Sequence, residues 1–187
     1  MPNYCNYSMC VVGAKENVEE FIKVIKADYD YGTMEFSHDR HMFRVFEAEN
    51  DEIEERFDGK FQAIIDGYCA WSVASCMLER GYYSDCKARY GSNFKGTTLL
   101  IESERLHLDI EVYSSESGCC FQEHYIVSNG EMECEEATDW QEIWVDDYET
   151  KEEAEEAFEM EITDEEWAKG LDEGYFTRGG FDWDFEI

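Results

Sequence analysis

Four histidines, eight cysteines and a large excess of carboxylates are the side chains that could bind a metal, attack an electrophile or move a proton in this sequence. The cysteines are Cys5, Cys10, Cys69, Cys76, Cys86, Cys119, Cys120 and Cys134, and no two have C-x-x-C spacing. Cys69 and Cys76 are seven apart. On a helix they would share one face at about 10 Å, too far for one tetrahedral ion. Cys119 or Cys120 with His124 could join a zinc site built from distant segments, or form a Cys–His nucleophile pair. In a strand, Cys120 and His124 share a face but stand about 13 Å apart. His38 and His41 in "SHDRH" have ligand spacing for a helix, but that stretch reads as the lead-in to a strand. "SSESG" (114–118) is an acidic turn and lacks the G-x-S-x-G pattern of a hydrolase elbow. "TRGGF" (177–181) reads as a turn, and "DWQEIWVDDYE" lacks EF-hand spacing. No phosphate loop or dinucleotide fingerprint is present. The expectation is no catalytic residue, no metal site and no cofactor, with buried structural thiols.

The carboxylates carry a different message. The chain holds 46 acidic and 15 basic residues, a net charge of −31. Binding a phosphate backbone needs Lys and Arg, so direct nucleic-acid contact is disfavoured, as is an anionic membrane. A basic protein partner, or solubility alone, is favoured. No apolar run approaches the roughly 20 residues of a membrane span. The opening has no basic region followed by an apolar stretch, so the expected location is the cytoplasm of a host bacterial cell. With 43% hydrophobic and 16% aromatic residues, the chain reads as folded rather than as a disordered acidic tail.

The charge is uneven. Residues 131–187 hold 23 acidic and 3 basic side chains, net −20, against 23 and 12 in residues 1–130, net −11. "TKEEAEEAFEMEITDEEW" (150–167) alone holds nine carboxylates. The expected partner contacts are Asp146, Asp147, Glu149, Glu152, Glu153, Glu155, Glu156, Glu159, Asp164, Glu165 and Glu166. Glu152, Glu153, Glu155, Glu156 and Glu159 span eight residues, about one charge per 2.4 Å of helix. Duplex DNA carries about one per 1.7 Å.

These residues need elements to hold them. Residues 4–12 read as a strand ending at Gly13. Val18, Phe21, Ile22 and Ile25 then fall on one helical face. Residues 41–49 and 60–68 read as strands. Residues 69–83 read as a helix burying Trp71, Val73, Ala74, Met77 and Leu78, which Gly81 ends. Residues 97–106 read as either helix or strand, and Thr98 with the Glu102–Arg105 spacing favours a short helix. Leu108, Ile110 and Val112 alternate as a strand, and Asn129–Gly130 between alternating segments predicts a hairpin. Thr150 with Glu153, and Thr163 with Glu166, match the capping box of two short acidic helices. Phe181, Trp183, Phe185 and Ile187 alternate with Asp182, Asp184 and Glu186, which predicts an edge strand able to pair with a second copy. The fold class is α+β: a ferredoxin-like β-α-β-β-α core, extended by a mostly antiparallel meander, plus acidic C-terminal helices. The division is a domain over 1–137 and an extension over 138–187 packed on it.

Two motifs add a resemblance. "MPNYCNY" at the start resembles the M-P-N-[W/Y]-C-x-N opening of a family of small phage and plasmid proteins with a YubB-type ferredoxin-like domain. "YSSESGCCFQEHYIVSNGE" (113–131) resembles that family's strand, acidic turn, Gly, strand and Asn-Gly hairpin. "YCAWSV" (68–73) sits where the family has a Trp-Gly segment, with Ser72 in place of the glycine. The resemblance covers roughly residues 1–135. It implies a mobile-element origin and the same fold, and it transfers no catalytic residue.

Acidity and mobile-element likeness together lead to an expected function. The chain is read as an inhibitor of a host DNA-targeting defence nuclease, an anti-CRISPR protein that presents a nucleic-acid-like surface to a Cas effector. One alternative is a non-enzymatic cytosolic accessory protein whose charge serves solubility. The other is a metal-binding protein or enzyme using Cys and His.

Overall fold

The structure is a computed structural model that describes residues 3–30 and 35–187. Met1 and Pro2 of the opening motif therefore lie outside the described residues. The chain is α+β, built on an eight-stranded antiparallel sheet with helices on one face.

β1 (Tyr4–Gly13) lies in the middle of the sheet, and α1 (Lys15–Ile25) returns across it. Val18, Phe21, Val24 and Ile25 are the buried positions of α1; the stripe read from sequence holds for Val18, Phe21 and Ile25, while Ile22 is only half-buried against the same core and Val24 takes the fourth buried place. Three short strands, β2 (Tyr29–Asp30), β3 (Glu35–Phe36) and β4 (His41–Met42), precede β5 (Val45–Asn50), so the strand expected over 41–49 is split. β6 (Glu54–Glu55) leads to β7 (Phe61–Ala70), which pairs with β1 on one side and with β5 and β6 on the other. Gly67 stands opposite Tyr7. With no side chain there, the Tyr7 hydroxyl can donate to the Glu47 carbonyl at 3.0 Å.

The helix expected over 69–83 differs. β7 continues through Ala70, Trp71 takes φ 63°, and α2 covers only Val73–Met77. Gly81 does not end that helix: it starts α3 (Gly81–Tyr90), which a 3-10 turn at Gly91–Asn93 closes. Cys69 and Cys76 therefore sit on a strand and a helix that fold back on each other. The Cys69 thiol is held well above the ordinary cysteine range by hydrogen bonds to Cys5 and Cys76 and by burial. The two-turn separation expected of them is wrong because the αL residue Trp71 reverses the chain between them.

After β8 (Gly96–Thr97), α4 (Leu99–Leu106) starts at Thr98, whose hydroxyl accepts from the Ile101 amide. β9 (Asp109–Glu116), β10 (Phe121–Ser128) and β11 (Glu131–Trp144) form the meander, and β12 (Tyr175–Gly179) adds the edge strand. The strand order is β12-β11-β10-β9-β1-β7-β5. α1, α2 and α4 cover the face that carries Cys5, Tyr7, Met9, Val11, Ile65, Ile110, Val112 and Val127, the main core.

The opposite face is covered by residues 180–187. They form no strand, so the expected edge strand belongs to β12 instead. Their alternation is as read: Phe181, Trp183, Phe185 and Ile187 are half-buried, and Asp182, Asp184 and Glu186 are exposed. The aromatic rings gather on Tyr113, and main-chain bonds tie the segment to Gln122, Glu111 and Arg56.

Candidate functional site

The acidic helices are α5 (Lys151–Phe158) and α6 (Asp164–Glu173). They carry their own small core of Ile143, Val145, Ala154, Ile162 and Phe176, with Tyr148, Phe158, Met160 and Trp167 around it. β11 joins this unit to the main sheet without a break: its first part pairs with β10 through Asp139, and its last five residues pair with β12. Residue 137 thus lies inside a continuous strand.

The eleven expected contact residues divide into two groups. Four are used inside the fold. Glu166 completes the capping box with Thr163 and accepts a two-pronged ion pair from Arg178, which lowers its pKa to about 2, with the Arg178 bond the largest cause. Asp164 pairs with Lys151 at 2.7 Å. Glu155 accepts from the Ile162 amide at 2.9 Å and lies 4.0 Å from Lys151. Glu153 departs from the expected reciprocal box, because its carboxylate takes the Glu149 amide while the Thr150 hydroxyl takes the Glu153 amide.

The other seven, Asp146, Asp147, Glu149, Glu152, Glu156, Glu159 and Glu165, are exposed, and no ion pair or hydrogen bond holds their side chains among the described residues; Glu152 has only the longer-range attraction of Lys151. The three cations of residues 131–187 are consumed locally: Lys151 by Asp164 and Glu155, Lys169 by Glu173, and Arg178 by Glu166. The outward ridge is Glu152 and Glu156 on α5 with Glu159 at its left-handed C-cap. Seven steps of about 1.5 Å give about one charge per 5 Å, sparser than one DNA strand at about 3.4 Å. The denser row expected from sequence fails because Glu153 and Glu155 turn back to cap main-chain amides. The Lys151–Asp164 pair brings the first turns of α5 and α6 together, so their charge adds across two helices. Exposed Trp144 packs against Tyr175 on the face of the β11–β12 ladder opposite Ile143 and Phe176, the face the helices cover.

A second constellation lies under the C-terminal segment. The Glu111 side chain is fully buried; one oxygen lies 2.9 Å from His124 Nε2, and the other accepts the Glu186 and Ile187 amides. The His124 ring stacks on Tyr113 at 4.1 Å. Its Nδ1 lies 3.8 Å from Cys134 Sγ and 3.6 Å from a Glu136 oxygen. Burial, then Glu136, Glu111 and Glu186, push the Cys134 thiol up. Sequence reasoning paired His124 with Cys119 or Cys120. Those two occupy the exposed β9–β10 turn, where Cys119 Sγ accepts from Asn3 and Cys120 donates to Ser117.

The missed partners depend on one residue. Asn129 and Gly130 have positive φ, as the hairpin requires, and set Ser128 opposite Glu131 and Val127 opposite Met132. Carried on unbroken, that register would put Cys134 opposite Tyr125, facing the core. A bulge at Glu133 sets Cys134 opposite Ile126 and Glu136 opposite His124. One extra residue moves both side chains to the His124 face.

The remaining histidines do not converge. His38 pairs with Glu20, and His41 is buried against Phe36. Burial lowers the His41 pKa to about 4. Among the described residues no helix is long and apolar enough to cross a membrane. No family model, curated protein or solved structure matches the chain.

Proposed function

We propose that this chain is a non-catalytic binding protein that offers its acidic C-terminal surface to a basic, nucleic-acid-binding partner. The favoured partner class is a DNA-targeting defence nuclease, with a CRISPR effector first, and the carboxylates stand in for phosphates. One observation carries the reading: seven exposed carboxylates on a capped, separately cored unit form no ion pair or hydrogen bond among the described residues. Four neighbouring carboxylates hold the unit together. Charge spent only on solubility needs no such division between structural and outward acids.

The connectivity β1-α1-β5-β7-α4-β9, with strand order β9-β1-β7-β5 and all neighbours antiparallel, supports reading the first part as a ferredoxin-like core. That reading and the opening and hairpin motifs together support a mobile-element protein of the YubB-type family.

The test is inhibition of purified Cas effectors and restriction enzymes across a salt series. Inhibition is expected to be stoichiometric and to weaken steeply with salt. Each exposed charge pair is worth about 0.2 to 1 kcal/mol. The triple variant Glu152→Gln, Glu156→Gln, Glu159→Gln should therefore bind about three- to a hundred-fold more weakly, with an unchanged melting temperature. Full inhibition by that variant at every salt concentration would refute the assignment of this ridge.

A further inference from the structure

We propose that His124, Cys134 and Glu136 form a binding site for one zinc-type divalent cation, with Glu111 as the positioning carboxylate. The proposal does not rest on the acidic-surface reading. Its ligand atoms are His124 Nδ1, Cys134 Sγ and a Glu136 oxygen, all within 4.8 Å of one another.

Three features point to a metal rather than to a chance meeting of polar groups. The first is spacing. Ligand bonds of about 2.0 to 2.3 Å in a tetrahedron set nitrogen and oxygen about 3.4 Å apart, and nitrogen and sulfur about 3.6 Å apart. The observed separations are 3.6 and 3.8 Å. A small contraction around an ion closes both.

The second is the other edge of the ring. Glu111 is fully buried, and its oxygen at 2.9 Å engages Nε2. Its second oxygen is held by two main-chain amides, so the carboxylate cannot rotate away. A proton held at Nε2 leaves the Nδ1 lone pair directed at Cys134 and Glu136. Ligating histidines are oriented by a carboxylate in this way. Tyr113 fixes the plane of the ring from its face.

The third is the donor set and its access. Nitrogen, thiolate and carboxylate together select a borderline ion such as Zn2+ over Mg2+ or Ca2+, which take oxygen ligands. The site opens outward: His124 is buried, Cys134 is half-buried, and Glu136 is exposed on β11. Three protein ligands leave a fourth tetrahedral position for water or a small external donor.

The experiment adds Co2+ or Zn2+ to the reduced, chelator-treated full chain. Cobalt reports its ligands through a thiolate charge-transfer band, which the chain's many carboxylates cannot produce. The expected result is one cobalt per chain with that band, displaced by Zn2+. Cys134→Ser should abolish the band, and Glu136→Gln should weaken binding. The double variant Cys119→Ser, Cys120→Ser should leave both unchanged. Glu111→Gln should weaken binding about 10- to 100-fold. Absence of a thiolate band in the wild type, or its survival in Cys134→Ser, overturns the proposal. Cys134 and Glu136 lie outside the core, so their variants remain folded and the result stays readable if Glu111→Gln does not fold.

Discussion

Glu123 offers a quantitative test of how the two halves of the core are joined. It lies on the helix-covered face of β10 and is nearly fully buried. One oxygen accepts from the Val73 amide at 3.0 Å, the Ser114 hydroxyl at 2.9 Å and, more weakly, the Ala74 amide at 3.5 Å. The other accepts from the Tyr125 hydroxyl at 3.1 Å. A single carboxylate thus anchors the start of α2 to β9 and β10. Glu123→Ala strands three strong donors, at about 1 to 3 kcal/mol each. The variant also no longer buries a carboxylate, and the net loss is expected at about 3 to 5 kcal/mol. Glu123→Gln keeps an acceptor of the same shape and should cost about 1 kcal/mol. Burial raises the Glu123 pKa against the bonds that lower it. The native state therefore keeps this proton to a higher pH than the unfolded chain does. The associated stability is present below the ordinary carboxylate pKa and is lost as pH rises through the raised native value. Glu123→Gln cannot titrate, so its deficit should shrink as pH climbs through that window. Urea unfolding followed by circular dichroism at several pH values measures both effects. Domains of this size have about 5 to 15 kcal/mol in total, so the alanine variant should be conspicuously weak. Equal losses for the two variants, or an alanine variant within about 1 kcal/mol of wild type, would refute this account of the anchor.

His41 predicts a second pH dependence, of opposite slope. Its ring is buried, and Nδ1 has no partner among the described residues. The unfolded chain takes up a proton near pH 6.5, while the native ring resists it to about pH 4. Stability should fall across that interval as pH drops. The full shift corresponds to about 3 kcal/mol, which residual solvent contact reduces to about 1 to 2 kcal/mol; His41→Phe should flatten this part of a melting-temperature profile, and an unaltered profile would sink the assignment. Gly67→Ala places a Cβ directly onto the Glu47 carbonyl oxygen and near the Tyr7 hydroxyl, so it should cost more than 3 kcal/mol or prevent folding. Gly59→Ala meets no atom within 4 Å and carries only the strain of φ 81°, so about 1 kcal/mol is expected in the same unfolding assay.

The parts of this molecule that were legible in the sequence are those fixed by local chemistry. The apolar stripe of α1, the Thr98 and Thr163 caps and the Asn129–Gly130 hairpin each follow from residues within a turn or two of one another. The failures all arise where a distant group or a single backbone dihedral decides. Trp71 in the left-handed region turns one expected helix into a strand end and two short helices, and so brings Cys69 to Cys76. Nothing in "YCAWSV" marks that residue, because a tryptophan is an unfavourable choice for positive φ. The same limit governs the candidate sites. Glu155 and Glu152 are indistinguishable as letters in "TKEEAEEAFEME", yet one caps Ile162 and the other faces outward. Composition could locate the acidic surface but not say which carboxylates remain for a partner. The His124 constellation was hidden more completely, because the Glu133 bulge reverses the face on which Cys134 stands. A register that a single inserted residue can reverse also makes a discriminating perturbation. Deleting Glu133 removes the extra residue and restores the uninterrupted ladder. With Glu133 gone, Met132 still stands opposite Val127, and the next residue, Cys134, still stands opposite Ile126, with Glu136 opposite His124, so the site is expected to survive and the thiolate–cobalt band to persist. Loss of that band in the deletion would refute the reading that the bulge acts only by setting Cys134 and Glu136 on the His124 face.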